Sequence, residues 1–375
     1  MATDFPITVK TFKGLEEVLA QEMHALGLSG VQPKLRSVVA RTDWPGLIKA
    51  NIWLRSAVSI LRPLHHAKAT NPEELYARTQ DIDWTKYMRT NQTFAIRHTV
   101  HSSHFTHSHY AALKVKDAIV DQFQDQFGQR PSIDTKRPHL RIDLHIDRDQ
   151  VTWSLDSSGE PLFKRGYREI TGPAPLNEVL AAGLLLLSGW DKRTPFWDPM
   201  CGSGTLPIEA ALMAYDLPPQ LLRRRYAFQQ WPGFPKAVFE REIQHLPEVP
   251  EQPSVRIIAS DKLFTMIKKS RSNAANLGLD RLIHFRPMSM QEHPPLREPH
   301  WIILNPPYDE RLPEKDIVAF YREIGDKLKS DCSGSTAWIL SASKQALKKI
   351  GMRANQKIEL KNGPLDSSFR EFHLY

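Results

Sequence analysis

The sequence predicts an α/β protein, with a mostly parallel, helix-flanked sheet in the C-terminal half and smaller α+β units in front. Three observations lead there. Residues 194–197 read as a short buried strand, Asp198-Pro199-Met200-Cys201-Gly202-Ser203-Gly204-Thr205 as a glycine turn, and 206–214 as an apolar helix with a proline in its first turn, where a missing N–H costs little. Strand, glycine turn and helix open the nucleotide-binding α/β folds. A second apolar run, 255–261, ends in Asp261 and is followed by a helical pattern through Met266, Ile267, Ala274 and Leu277. A third, 300–304, runs into Asn305-Pro306-Pro307-Tyr308. Ligands of open α/β sheets bind at that C-terminal strand edge.

The front of the chain is built differently. Residues 5–62 offer a strand at 5–11, a helix at 14–26, two β-like runs and a helix near 44–54, the alternation of a small α+β domain. A further α/β stretch over 67–156 has strands at 92–100, 140–146 and 150–155 and a helix at 110–127. That helix carries Lys114 and Lys116 with apolar Ala111, Val115, Ala118, Ile119 and Phe123 behind them. Lys164-Arg165-Gly166-Tyr167-Arg168 follows as a compact basic and aromatic cluster. Such a cluster suits phosphate contact and base stacking, and it equally suits a solvated charged surface. No internal repeat or low-complexity tract occurs. The catalytic strands are expected near 194–200, 255–261, 282–288, 300–305, 335–341, 357–361 and 369–375.

Each motif carries chemistry. Gly202 and Gly204 let the backbone approach a ligand too closely for any Cβ. Asp261 has two fitting roles: binding ribose hydroxyls, as the fold rule favours, and capping the helix behind it. Its distance from Asp198 exceeds the roughly 20 residues usual in a compact dinucleotide fold, because an aromatic, basic, proline-rich insertion occupies 215–253. In Asn305-Pro306-Pro307-Tyr308 the Asn305 side-chain oxygen and the Pro306 carbonyl are two acceptors on a loop stiffened by prolines. Aimed at the hydrogens of a conjugated exocyclic amine, they orient a poor nucleophile toward an electrophile, which is catalysis by positioning. Tyr308 can stack on a flipped-out base. A sulfonium methyl would serve as electrophile without a strong base. The plain alternative is a surface turn, since Asn-Pro marks turns.

Composition fits an ordinary globular protein: 375 residues, 41% hydrophobic and 25% charged, long enough for two or three domains. The longest apolar run, 179–187, is too short to span a membrane, and no signal-peptide pattern opens the chain. The two cysteines are Cys201 and Cys332; a disulfide inside the glycine loop would obstruct the site, so a reducing cytoplasm is the expected compartment. A net charge of +8 favours a polyanionic partner. His98, His101, His104, His107 and His109 crowd together without a Cys or acid among them. They read as a polar, partly basic RNA-facing loop, and no metal site is expected.

On these residues the chain resembles the THUMP-domain RNA guanine-N2 methyltransferases of bacteria. The likeness runs through Thr11-Phe12-Lys13-Gly14-Leu15-Glu16 and Trp53-Leu54-Arg55-Ser56-Ala57, through residues 114–121 and Gly128-Gln129-Arg130-Pro131, and through 154–168. It continues in Ala174-Pro175-Leu176-Asn177-Glu178, in the eight-residue glycine string, which resembles motif I of such enzymes, and in Lys361-Asn362-Gly363-Pro364-Leu365-Asp366. The resemblance implies an N-terminal ferredoxin-like domain at 1–64, a THUMP RNA-binding domain at 65–157 and a Rossmann-like, seven-stranded class I methyltransferase domain at 158–375. It implies S-adenosylmethionine as cofactor and a guanosine N2 in 23S rRNA, of the position-2445 type, as target. The substrate is then 23S rRNA or a large-subunit assembly intermediate, with the fused second methyltransferase of some relatives absent. Cofactor contacts fall on Asp198, Cys201, Gly202, Gly204, Thr205, Asp261 and Ser289; the catalytic motif is Asn305, Pro306, Pro307 and Tyr308; RNA contacts fall on Lys114, Lys116, Lys164, Arg165 and Arg168. A tRNA guanine-N2 methyltransferase and a non-catalytic RNA-binding factor are the alternatives. Three positions depart from the family. Ser289 stands where an acidic residue near the adenine is usual, Asp309 where Gly usually follows the motif, and Lys262 where an acidic or polar residue follows the ribose acid.

Overall fold

The computed structural model describes residues 4–168, 175–307 and 314–375, with side chains from 317 onward in the last stretch. The front half runs β1 (Phe5–Lys10), α1 (Glu16–Ala25), β2 (Ser29–Lys34), β3 (Ser37–Thr42), α2 (Trp44–Trp53), β4 (Ser59–Lys68), α3 (Pro72–Gln80), β5 (Thr93–His101), α4 (Ser108–Phe127), β6 (Ser132–Ile133), β7 (Leu140–Asp147) and β8 (Gln150–Asp156). The physics of each element is local. In β1, Phe5, Ile7 and Val9 alternate into the core. Asp43 caps α2 by accepting from the Gly46 N–H at 3.0 Å, and Asn71 caps α3 through the Glu74 N–H at 2.8 Å.

These strands form one eight-stranded sheet, ordered β2-β3-β1-β4-β8-β7-β5-β6. The long strand β4 joins its two parts. Its first residues pair with β1, and from Leu61 to Lys68 it pairs with β8. The boundary expected near residue 64 falls within this strand, beyond its pairing with β1 and inside its pairing with β8.

The back half runs α5 (Glu178–Leu187), β9 (Phe196–Asp198), α6 (Thr205–Ala214), α7 (Lys236–Gln244), β10 (Ile257–Asp261), α8 (Phe264–Ala275), β11 (Ile283–Pro287), β12 (Trp301–Leu304), α9 (Glu314–Asp331), β13 (Thr336–Ser341), α10 (Lys344–Leu347), β14 (Lys357–Asn362) and β15 (Leu365–His373). Its seven strands order as β11-β10-β9-β12-β13-β15-β14. All neighbours are parallel except β15, which runs antiparallel to β13 and β14. This is the expected Rossmann-like sheet with its antiparallel terminal hairpin. The last strand starts four residues before the expected 369, because Gly363-Pro364 alone closes the hairpin.

The insertion at 215–253 leaves the catalytic sheet and packs on the front module. Tyr226, Phe228, Trp231 and Phe239 belong to the front module's core. Trp44 lies 6.1 Å from Trp231 and 6.2 Å from Phe234, ring to ring, and the Phe228 N–H donates to the Ser157 carbonyl at 3.1 Å. The aromatic residues of this segment are packing residues that clasp the two halves together.

Candidate functional site

The site is assembled at the C-terminal edge of the catalytic sheet. β9 is fully buried between β10 and β12 and delivers Asp198 to the start of the glycine loop. Asp198 Oδ1 accepts from the Met200 N–H at 3.0 Å, which sets the turn. Burial pushes the Asp198 carboxyl up to about 8, and the nearby Asp261 charge adds to that push. The Cys201 N–H donates to the Ser260 carbonyl at 2.9 Å, tying the loop to β10. The thiol of Cys201 is raised far above its ordinary range by burial, so it is a protonated wall group and not a nucleophile.

Gly204 has φ +90°, and a Cβ there would stand 2.1 Å from Ser270 Oγ. No other residue admits this approach of α8 to the loop. Gly202 also has positive φ, and its N–H donates to Asp261 Oδ2 at 3.0 Å. Asp261 Oδ1 accepts from the Leu263 N–H at 2.9 Å. The acid therefore braces both the loop and the entry to α8, and its oxygens retain lone pairs for further donors.

Asn305 follows β12 at the same edge. Its Oδ1 is buried and accepts no hydrogen bond among the described residues. Buried polar atoms are nearly always partnered, and this one belongs to a residue that lines the cavity described below, where a ligand's donor can reach it. Tyr308 and Asp309 lie outside the described residues. Ser289, after β11, donates its hydroxyl to Glu292 at 2.8 Å. Together with the Ser289 N–H, that bond holds the Glu292 carboxylate below its ordinary range.

One continuous cavity of about 530 Å³ joins these groups. Asp198, Cys201, Gly202, Thr205, Asp261, Ser289, Asn305, Pro306 and Pro307 all line it. Gly204 stands behind the wall against Ser270 and does not line it. Two further elements reach it that the motifs do not reveal: Phe320 of α9 and the hairpin tip Asn362-Gly363-Pro364-Leu365. The tip is readable as a turn from its Gly-Pro pair, but no local pattern says where a turn lands.

The basic residues divide. Lys164 is exposed, and Lys114 and Lys116 are half-exposed on α4. Lys116 pairs with Asp117 and Lys164 with Glu160. Arg165 and Arg168 are corrections to the expected phosphate contacts. Arg165 is 1% exposed. Its guanidinium binds Glu209 at 3.3 Å, the Leu162 carbonyl at 2.8 Å and the Arg55 carbonyl at 2.6 Å. Arg168 donates to the Leu176 carbonyl at 2.9 Å and Thr205 Oγ1 at 2.7 Å and pairs with Glu178 at 3.3 Å. Both are interior struts. Burying a charge is tolerated only with such partners; those of Arg165 occupy all three of its guanidinium nitrogens, and those of Arg168 hold its Nη2 inside the protein. Of the histidines, His98 and His109 sit 6.2 Å apart, ring to ring. No group of three or more metal-binding side chains occurs among the described residues, and no helix among them is long and apolar enough to cross a membrane.

Residues 165–371 match the family described as RMKL-like, methyltransferase domain; 69–156 match the THUMP domain; 6–61 match the RlmL ferredoxin-like domain. A protein of Synechocystis sp., provisionally named an RNA methyltransferase, is 35% identical over the whole chain and 98% of its own length. The crystal structure of SMU.472, complexed with SAH, superposes with a TM-score of 0.90 at 30% identity, covering 100% of this chain and 99% of that one. A structure from Listeria monocytogenes str. 4b F2365, described as a predicted N6-adenine-specific DNA methylase, gives 0.88 at 28% identity, covering 100% and 97%. SAH is the demethylated form of S-adenosylmethionine, the cofactor expected from the sequence. The chain belongs to the RMKL-like methyltransferases, with ferredoxin-like and THUMP domains ahead of the catalytic one.

Proposed function

We propose that the protein transfers the methyl group of S-adenosylmethionine to the exocyclic N2 of a guanosine in 23S rRNA, of the position-2445 type. The orphaned, buried Asn305 Oδ1 carries this reading. It lines the same cavity as Asp261 and the glycine loop, so an amine bonded to it is held facing the cofactor.

The donor supplies a methyl carbon on a positively charged sulfur. The protein supplies orientation. The glycine loop and Asp261 hold the cofactor, with Asp261 free to accept from ribose hydroxyls beside its two backbone donors. Cys201 and Thr205 shape the methionine end, and Ser289 offers an acceptor to the adenine amine. Asn305 Oδ1 and the Pro306 carbonyl accept the two N2 hydrogens, which turns the nitrogen lone pair out of the base plane and toward the methyl. As the N–C bond formed, the sulfur–methyl bond would break, leaving a neutral thioether; the positive charge would pass to N2, and both acceptors would bind its hydrogens more strongly. That is stabilisation specific to the transition state. One of those protons would then be lost to water. Tyr308 provides the stacking face.

RNA as substrate is supported by the THUMP match and by the name of the 35% identical relative. The competing acceptor is adenine N6, which the description of the Listeria structure brings in and which the same acceptor pair could hold. Incubating the protein with rRNA from a deletion strain and labelled S-adenosylmethionine, then digesting to nucleosides for mass spectrometry, separates them. N2-methylguanosine at a single 23S site is the expected product; N6-methyladenosine, or label only in tRNA, overturns the assignment.

A further inference from the structure

The helix α8 runs between two functional landmarks. Its N-terminal end stands at the cavity, where Lys262, Leu263 and Met266 are part of the wall. At its other end the Asn276 side-chain amide donates to the Tyr167 carbonyl at 2.9 Å, on the segment that leads out of the front module. Its 12 residues therefore span about 18 Å from that junction to the cavity mouth.

One stripe of this helix faces solvent. Ile267, Ser270, Asn273 and Ala274 are buried, while Phe264, Lys268, Arg271 and Ala275 are exposed at i, i+4, i+7 and i+11. Residues 262–279 hold four Lys/Arg and no Asp or Glu. Lys116 and Lys164 elsewhere sit on carboxylates; Lys268 and Arg271 have no carboxylate partner among the described residues. They lie over aromatic rings instead. The Lys268 amine is 5.8 Å from the centre of the Phe264 ring, and the Arg271 guanidinium is 5.5 Å from that of Phe285. Such a ring holds a cation in place without cancelling its charge. Phe264 itself is 61% exposed. A single exposed ring needs no explanation, but this one stands between the cavity wall and two uncancelled cations. A face of that charge and composition is complementary to a single nucleic-acid strand, which offers phosphates to the cations and a base to the ring.

We propose that the outer stripe of α8 is the track for the RNA strand flanking the target nucleotide: Lys268 and Arg271 hold phosphates, and Phe264 stacks a flanking base beside the cavity mouth. The inference rests on RNA being the substrate and is independent of which base is methylated. The strand passes from the front module, along α8, to the cavity.

The test uses the full chain and 23S rRNA from the deletion strain. RNA binding is measured over a salt series, and single-turnover transfer at limiting and at saturating RNA. Lys268→Gln combined with Arg271→Gln removes both charges and keeps most of each stem. This double variant should lower the log–log salt slope by about 0.7 per contact and slow transfer about tenfold at limiting RNA, with the saturating rate near native. A native slope overturns the track. Phe264→Leu keeps an apolar side chain without the ring and should weaken RNA binding five- to tenfold, and Phe264→Trp should restore it. Native affinity in Phe264→Leu overturns the stacking role. None of the three side chains lines the cavity, so S-adenosylmethionine affinity, measured by calorimetry, should stay native and shows that each variant is folded. Binding of phosphatidylglycerol vesicles that the double variant loses, with its RNA slope unchanged, would reassign the face to a membrane surface. If the native protein neither binds nor methylates RNA, the substrate reading itself falls; if it methylates RNA and the variants match it in slope and rate, only the track falls.

Discussion

Two regions bury polar groups and differ in what faces them. At the seam between the front module and α6, charged groups meet partners: Arg165 binds Glu209, Tyr167 also reaches Glu209 at 3.3 Å, and Arg55 donates to the Leu217 carbonyl at 2.7 Å. Single atoms there lack a bond, such as Glu209 Oε2 and Arg55 Nη1, but each group is held by another of its atoms. At the cavity the Asn305 carbonyl oxygen has no partner among the described residues. Satisfied buried charge specifies how the halves dock. An unsatisfied acceptor on a residue that lines a cavity leaves a position a ligand can fill. The two should fail differently when mutated, the first in stability and the second in rate.

The largest effect is expected at the seam. Arg165→Ala leaves Glu209 buried without its main counter-charge, which costs about 3–5 kcal/mol. Urea denaturation should show this loss. A variant of native stability that binds RNA weakly would return Arg165 to the RNA surface.

Asn305→Ala should show the reverse. Its unfolding free energy and both ligand affinities should stay near native, while single-turnover transfer slows about a hundredfold or more, as when one preorganised polar group leaves an active site. Asn305→Asp retains an acceptor and should retain partial activity. Wild-type single-turnover transfer by Asn305→Ala would remove the motif from catalysis.

Asp198 sharpens the comparison because it is a site residue with an interior's burial. Its carboxyl, ordinarily at 3.8, is pushed up to about 8 in the folded protein. Between those values the folded state binds more protons than the unfolded one. Stability contributed by the neutral group is therefore lost as pH rises through that window. Asp198→Asn, which keeps an acceptor for the Met200 N–H, should flatten the decline by up to about 1.4 kcal/mol per pH unit. Parallel stability–pH curves for the two proteins would contradict the burial argument.

Smaller effects follow at the ligand surfaces. Asp261→Ala should weaken S-adenosylmethionine binding by about tenfold, measured by calorimetry, and an unchanged dissociation constant would remove it from the cofactor site. Replacing Lys114, Lys116 and Lys164 together should lower the log–log salt slope of RNA binding by roughly 0.7 to 0.9 per phosphate lost. A native slope would show that these lysines make only their contacts within the protein, with Asp117, Glu160 and the Tyr110 ring.

The catalytic sheet was largely legible because its strands are apolar runs ending in chemically marked residues: Asp198, Asp261 and Asn305. The hairpin was placed late because Leu365-Asp366-Ser367-Ser368 has a loop's composition, while its strand geometry comes from pairing with β14 and, at Ser368, β13. Arg165 and Arg168 were misread for a related reason. Lys-Arg-Gly-Tyr-Arg looks like a surface patch until Glu209, 44 positions along the chain from Arg165, arrives beneath it. The insertion's aromatic residues, to which the sequence assigns no role, pack on Trp44 and its neighbours. In each case the deciding partner was distant in sequence, and the local pattern held no trace of it.

The strand β4 has a consequence for how a target is chosen. Bonded first to β1 over Ser59–Leu61 and from Leu61 onward to β8, it runs as one continuous strand from one front unit into the other. With the aromatic clasp of 215–253, it fixes the reach from α4 to Asn305. The protein is then a ruler. For an RNA gripped on α4, only a nucleotide at one fixed arc from the grip falls into the cavity. Lengthening the RNA helix by a base pair between grip and target should move the methyl group to a neighbouring nucleotide, not merely weaken the reaction.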